Sequence, residues 1–189
     1  MQIKKEETKT IVISLDEYND LYSDFDPRPY SVRAISDDFI MELKRVDPEL
    51  MYYNYHILFV IPKERRIIKE EIVIKKRLIE FFNKEYLMHN THKKQIVKQG
   101  CLFVGLGVVV FFMFVYIFPK YSSFGIDFTA FTLIFELIGW FLLWEGLHQI
   151  IFESKEKRNH INLYKRLSQA KITFVNDKAK EIEGKVWIK

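Results

Sequence analysis

The apolar positions of this chain change period several times, and each change predicts a new element. Residues 10–15, TIVISL, are a short β-branched run that predicts a strand, after which Ser14 or Asp16 can cap a brief helix over 16–22. Residues 24–33, DFDPRPYSVR, carry two prolines and predict a loop, because each proline removes a backbone donor and restricts its predecessor. Ser36 ahead of Asp37 and Asp38 is a helix start, followed by Phe39, Leu43 and Val46 at helical spacing and closed by Pro48. Residues 52–61, ending HILFVI, predict the strongest strand of the chain, with Pro62 as its end. From 64 to 100 the period becomes that of one long amphipathic helix. Its stripe is Ile68, Ile72, Ile79, Phe82 and Tyr86, widened by Ile74, Leu78 and Phe81. The stripe keeps no strict heptad, so either the domain's own strands or the same helix of a neighbouring subunit can cover it.

Periodicity then disappears. Residues 101–118 contain no charge, and a second apolar stretch occupies 128–151. At about 1.5 Å per residue each is long enough for a hydrocarbon core of roughly 30 Å, so the pattern predicts two transmembrane helices, 100–118 and 128–151, joined by an external loop over 119–127. Beyond them, Ile161, Tyr164 and Leu167 mark a helix within 153–170, and KITFV and KVWIK read as two short strands. Two strands alone are marginal in water. They are therefore expected to join the N-terminal strands in one small cytoplasmic α+β domain. That domain comprises residues 1–99 with the juxtamembrane helix and residues 152–189, and the two-helix hairpin is inserted into it. No linker, repeat or low-complexity tract separates these parts.

Charge orients the hairpin. Residues 83–98 carry Lys84, Lys93, Lys94 and Lys98 against Glu85, and residues 153–166 carry five basic residues against two acids, whereas 119–127 holds only Lys120 and Asp127. The positive-inside rule then predicts a multi-pass protein of the inner (plasma) membrane with both termini cytoplasmic. The net charge of +4 is read as basic residues at the membrane surface, Lys93, Lys94, Lys98, Lys155, Lys157 and Arg158, facing anionic lipid of the bilayer. It is not read as a nucleic-acid platform, since no basic stripe is interleaved with aromatics. The polar N-terminus, MQIKKEETKT, lacks the apolar region of a cleavable signal, so the first span is expected to direct insertion. The single cysteine, Cys101, cannot form an intrachain disulfide.

The candidate chemistry lies in the second span. Glu136 has eight uncharged residues on either side, and a carboxylate in hydrocarbon is costly unless paired, protonated or hydrated. Trp140, Leu143 and Leu147 share its helical face, whereas Glu145 points to the opposite side, with His148 and Gln149 three and four residues on as polar partners. Glu136, Glu145 and His148 are thus candidates for lining a pore or for polar contacts between helices. Gly105, Gly107, Gly139 and Gly146 are candidates for close helix packing, the last two on one side of their helix. Two spans cannot enclose an aqueous path, so a pore requires an assembly of about four or more chains. His89 and His92, three apart, could share a metal but are better read as a solvated pair; no metal or other cofactor is expected. The Asp26-Pro27-Arg28-Pro29 turn is either a rigid surface feature or a partner contact. Glycine-rich phosphate loops, G-x-S-x-G, H-E-x-x-H and C-x-x-C are absent, which argues against an enzyme.

Gly139-Trp140, Trp144 four residues on and His148 four further, with Arg158, Tyr164 and Leu167 downstream, resemble an uncharacterised family of bacterial two-transmembrane-helix proteins with a Gly-Trp-x-x-x-Trp motif in the second span. The resemblance covers about residues 130–170 and implies two spans and cytoplasmic termini, with no activity attached. The chain departs from that pattern by placing His148 where an acid is expected and in the spacing of Glu136 to Gly139. The functional expectation is a membrane-embedded homo-oligomer whose cytoplasmic domain controls an ion-conducting or membrane-perturbing assembly. The alternative is a non-conducting adaptor or regulatory subunit that binds another membrane or cytoplasmic protein.

Overall fold

The computed structural model describes residues 8–46, 54–117, 129–176 and 186–188. The expected external loop over 119–127, the helix stop at Pro48 and the first residues of the strand expected from 52 lie outside these. The described elements are β1 (Thr8–Ser14), a 3-10 turn (Tyr18–Leu21), α1 (Asp37–Val46), β2 (Asn54–Ile61), a second 3-10 turn (Lys63–Arg65), α2 (Ile68–Phe112), a π-helical turn (Met113–Ile117), α3 (Thr129–His148), a second π-helical turn (Gln149–Glu153), α4 (Ser154–Ser168), β3 (Lys171–Asn176) and β4 (Val186–Ile188). The helix expected over 16–22 is only the 3-10 turn, and the long helix starts at Ile68, not 64, because Pro62 and the turn over Lys63–Arg65 intervene.

The chain divides into two compact units, one of residues 1–87 with 161–189 and the other of residues 88–160. The first is a small α+β fold around a four-stranded sheet of order β3-β2-β1-β4, in which every pairing is parallel. Strands from both ends of the chain therefore share one sheet. The crossovers β1 to β2 and β2 to β3 step in the same direction, and right-handed connections then put their helices on the same face. On that face Ile11, Ile57, Phe59 and Phe174 are buried against Phe39 and Leu43 of α1, Ile74, Leu78 and Phe82 of α2, and Leu167 of α4. Phe59 stacks on Phe174 with ring centroids 5.1 Å apart and touches Phe39 at 6.0 Å, so the centre of the core is aromatic. The opposite face carries a smaller cluster of Val12, Leu58 and Val60, with His56 Nε2 2.9 Å from Thr173 Oγ1.

The buried stripe of α2 is one part of the expected, wide one. Ile74, Leu78 and Phe82 lie at the sheet, fully buried, whereas Ile68 is 71% and Ile72 63% exposed. All of these positions belong to the expected stripe with its widening, and only the position of the sheet selects among them.

In the second unit the latter part of α2 packs antiparallel with α3. The chain holds two helices long and apolar enough to cross a membrane, within Ile68–Phe112 and Leu133–Ser168, and little of either apolar window is buried within the protein.

Candidate functional sites

At the carboxyl ends of the parallel strands the first unit assembles a polar cluster that periodicity does not reveal. Arg66 follows β2 and donates from Nε to Glu71 Oε1 at 2.8 Å and from Nη2 to Oε2 at 3.0 Å. Its Nη1 donates to Asn176 Oδ1 at 2.7 Å, at the end of β3, and its Nη2 also reaches the Phe174 carbonyl at 3.3 Å. The Glu71 side chain, in the first turn of α2, is only 5% exposed and also accepts from the Tyr18 hydroxyl at 3.3 Å. That hydroxyl in turn accepts from the Ile67 N–H at 3.0 Å. Arg65 Nη1 donates to the Asp16 carbonyl at 3.0 Å, so adjacent arginines tie the ends of β1, β2 and β3 together. The Glu71 hydrogen bond holds the Arg66 guanidinium more firmly protonated than usual, and burial with the Glu71 charge beside it raises the Tyr18 phenol. Open parallel sheets bind ligands outside their carboxyl edge, which is where this cluster stands. A carboxylate neutralised by a bidentate arginine is an anchor, not a free base.

The loop that follows Tyr22 is pinned at the same edge. Asp26 accepts from Arg28 Nε and Nη2, both at 2.8 Å, and from the Ala34 N–H at 2.6 Å. Arg28 first, then the Ala34 N–H, holds the Asp26 carboxyl well below the usual range. Arg33 donates to Asn19 Oδ1 at 2.7 Å and to the Ser23 carbonyl, and its carbonyl accepts from Arg77 of α2. Tyr30 stacks on Tyr22 at 5.1 Å. The Asp-Pro-Arg-Pro segment is thus a closed, internally bonded turn, with Phe25 at its tip 97% exposed.

The second unit is built on glycine. A Cβ on Gly146 would lie 2.6 Å from the Gly100 carbonyl oxygen and 2.7 Å from Val104 Cγ2, and one on Gly107 would lie 2.8 Å from Leu143 Cγ. Gly139 sits opposite Val110 and the Gly107 carbonyl. Gly100 and Gly107 on α2, seven apart, therefore face Gly146 and Gly139 on α3, also seven apart, in an antiparallel seam where the backbones meet. Gly100 was absent from the sequence candidates, although its spacing from Gly107 repeats that of Gly139 and Gly146. Gly105 is not part of the seam: a Cβ there would meet nothing within 4 Å.

Of the polar candidates, Glu136 is exposed and has no hydrogen bond or ion pair among the described residues. Glu145 accepts from Gln149 Nε2 at 2.9 Å, while His148 stacks on Phe152. Gln149 is the buried polar residue of the seam, 8% exposed, and sequence reading used it only as a partner for Glu145. Its signal is its position three residues after Gly146, on the seam face. It also opens the π-helical turn Gln149–Glu153, the kind of helix irregularity that often accompanies functional sites. His89 stacks on His160, centroids 5.7 Å apart, so its neighbour comes from α4 and not from His92. Among the described residues no three His, Cys, Asp or Glu side chains group as metal ligands. Lys93, Lys94 and Lys98 line one cleft with Asn90 and Val97. Lys155 and Arg158 are exposed on the first turn of α4, and Lys157 is half-buried. No protein-family model, curated protein or solved structure matches this chain.

Proposed function

We infer that this chain is a two-span protein of the plasma membrane with cytoplasmic termini. In this reading it is a homo-oligomer in which the α+β unit controls an ion-conducting or membrane-perturbing assembly and catalyses no reaction itself. The observation that carries the reading is a single helix. Ile68–Phe112 begins beside the Arg66–Glu71–Asn176 cluster and runs without interruption into an uncharged segment long enough to serve as a span. A ligand or partner that rearranges the carboxyl edge of the sheet must act on the first turn of the same helix that supplies the span. Two further features support an assembly. Ile68 and Ile72 leave an apolar strip of α2 uncovered, and Glu136, outside the glycine seam, is available to water or to a neighbouring chain.

The test combines oligomeric state with flux. The chain is reconstituted in nanodiscs for mass and in liposomes for ion flux, as wild type and as Glu136→Gln. The reading expects an assembly of about four or more chains and a flux whose magnitude or pH dependence changes in the variant. Stable protein in the bilayer with no flux in either form, at any pH or potential, would reject conduction in favour of the non-conducting adaptor.

A further inference from the structure

We propose that one side of the α2–α3 pair is a binding groove for a single anionic phospholipid, with its phosphate held by Lys94 and Lys98 and an acyl chain laid along α2 to Trp140. The proposal rests on the reading of this pair as membrane-spanning. Two concavities carry it. A cleft of about 400 Å³ is lined by Asn90, Lys93, Lys94, Val97 and Lys98, and none of its lysines forms an ion pair among the described residues. A groove of about 380 Å³ is lined by Val108, Phe111, Phe112, Trp140 and Leu143.

These are two parts of one track. Lys94, Val97, Cys101, Gly105, Val108 and Phe112 recur at intervals of three and four, which puts them in one stripe on the helix surface. Between the basic and apolar ends the stripe carries only Cys101, exposed, and Gly105, whose Cβ position is open. A side chain at 105 would therefore start in open space, and glycine there leaves a bare strip of backbone in the middle of the track. From Lys98 to Val108 the helix rises about 15 Å, half of a hydrocarbon core of roughly 30 Å. A headgroup at the lysines therefore places its chain alongside Gly105 and the chain end at the aromatic groove, with the depth of one leaflet matched. The lysines of the cleft select negative charge, and Asn90 adds an amide for a headgroup hydroxyl or phosphate oxygen. Zwitterionic lipid would satisfy the groove but not the cleft, and a soluble phosphate would satisfy the cleft but not the groove.

Trp140 reports occupancy directly. The full chain is reconstituted in phosphatidylcholine vesicles with a trace of phosphatidylglycerol or of phosphatidylcholine brominated in its acyl chains, and quenching is taken as the difference between wild type and Trp140→Phe. The expected result is strong preferential quenching by the brominated phosphatidylglycerol. Each of Lys94→Gln and Lys98→Gln should lower that preference about fivefold, and the double variant roughly twenty-five-fold. Gly105→Leu, a change that meets no protein atom at its Cβ, should abolish quenching by the trace lipid while leaving the glycine seam and the protein's stability intact. Equal quenching by the two brominated lipids, or a preference indifferent to the lysines or to Gly105→Leu, overturns the groove but not the membrane reading. Loss of the preference on adding inorganic phosphate reassigns the cleft to a soluble anion and also overturns it. A chain that does not associate with the vesicles overturns the membrane reading itself.

Discussion

The two units use apolar residues in opposite ways. In the sheet unit the largest side chains, Phe59, Phe82, Ile57 and Leu78, are inside, and lysines and glutamates cover the helices outside. In the α2–α3 unit the interior is glycine, with Leu137, Trp140, Phe141 and Trp144 turned outward, each at least 64% exposed. Water drives the first arrangement, since burying large apolar area is what stabilises a soluble core. In lipid, apolar side chains gain nothing by turning inward, and helices hold together through close backbone packing. The inversion matches what each solvent would ask for: the sheet unit packs as a core in water does, and the two helices of the other unit are long and apolar enough to cross a membrane.

The strongest break of this comparison is Phe59→Ala. Removing a fully buried ring between Phe39 and Phe174 should cost the sheet unit about 3–5 kcal/mol in chemical denaturation. Far-ultraviolet circular dichroism in detergent should then show the apolar helices surviving after the sheet is lost. Simultaneous loss of both would mean that the two units fold as one.

Gly146→Val applies the opposite perturbation. Added volume at 2.6 Å from the Gly100 carbonyl should push the seam apart and cost about 1–3 kcal/mol, seen as a lower midpoint of thermal aggregation in detergent. Gly105→Val, outside the seam, should leave that midpoint unchanged. Equal effects at the two positions would remove the glycine seam from the account.

Glu71→Ala sharpens the comparison within the sheet unit, where charge is buried only when paired. It strands the Arg66 guanidinium, which is partly exposed, so the expected loss is about 1–3 kcal/mol in the same denaturation measurement. Arg66→Met with Glu71→Leu should recover most of it, because an apolar replacement of both partners leaves no unpaired group.

The smallest effect is the acid response of the Asp26 loop. The folded-state pKa of Asp26 is depressed, so its contribution is fully present above the ordinary value of 3.8 and is lost as pH falls from there towards the folded value. The amide resonance of Ala34, which donates to Asp26, should move over that acid range and be insensitive to pH near neutrality. In Asp26→Asn the movement should disappear. An Ala34 amide that titrates near neutral pH would point to a different acceptor.

Much of the secondary structure is legible without any fold. The β-branched run over residues 10–15, the strand ending HILFVI, the helix start at Ser36-Asp37-Asp38, the helix within 153–170 and the two long apolar segments depend on near neighbours in the chain and on what each segment needs from its solvent. The glycine pair at 139 and 146 was also readable, because a spacing of seven returns to the same side of a helix. What required tertiary structure is each property that depends on a partner distant in sequence. The apolar stripe of α2 is wide, and only the sheet selects Ile74, Leu78 and Phe82 within it over Ile68 and Ile72. The seven-residue spacing of Gly100 from Gly107 marks it as a seam candidate, but only the fold shows that Gly100 is opposite Gly146 and that a side chain at Gly105 would meet nothing. Arg66 and Glu71 look like two more charges at the start of a charged helix until parallel pairing brings the end of β3 beside them, 110 residues away at Asn176. The sequence by itself determined which segments are polar and which are long and apolar enough to cross a membrane, since transfer free energy is a property of the residues; which residues meet each other was decided by topology, because contact between distant segments is a property of the fold.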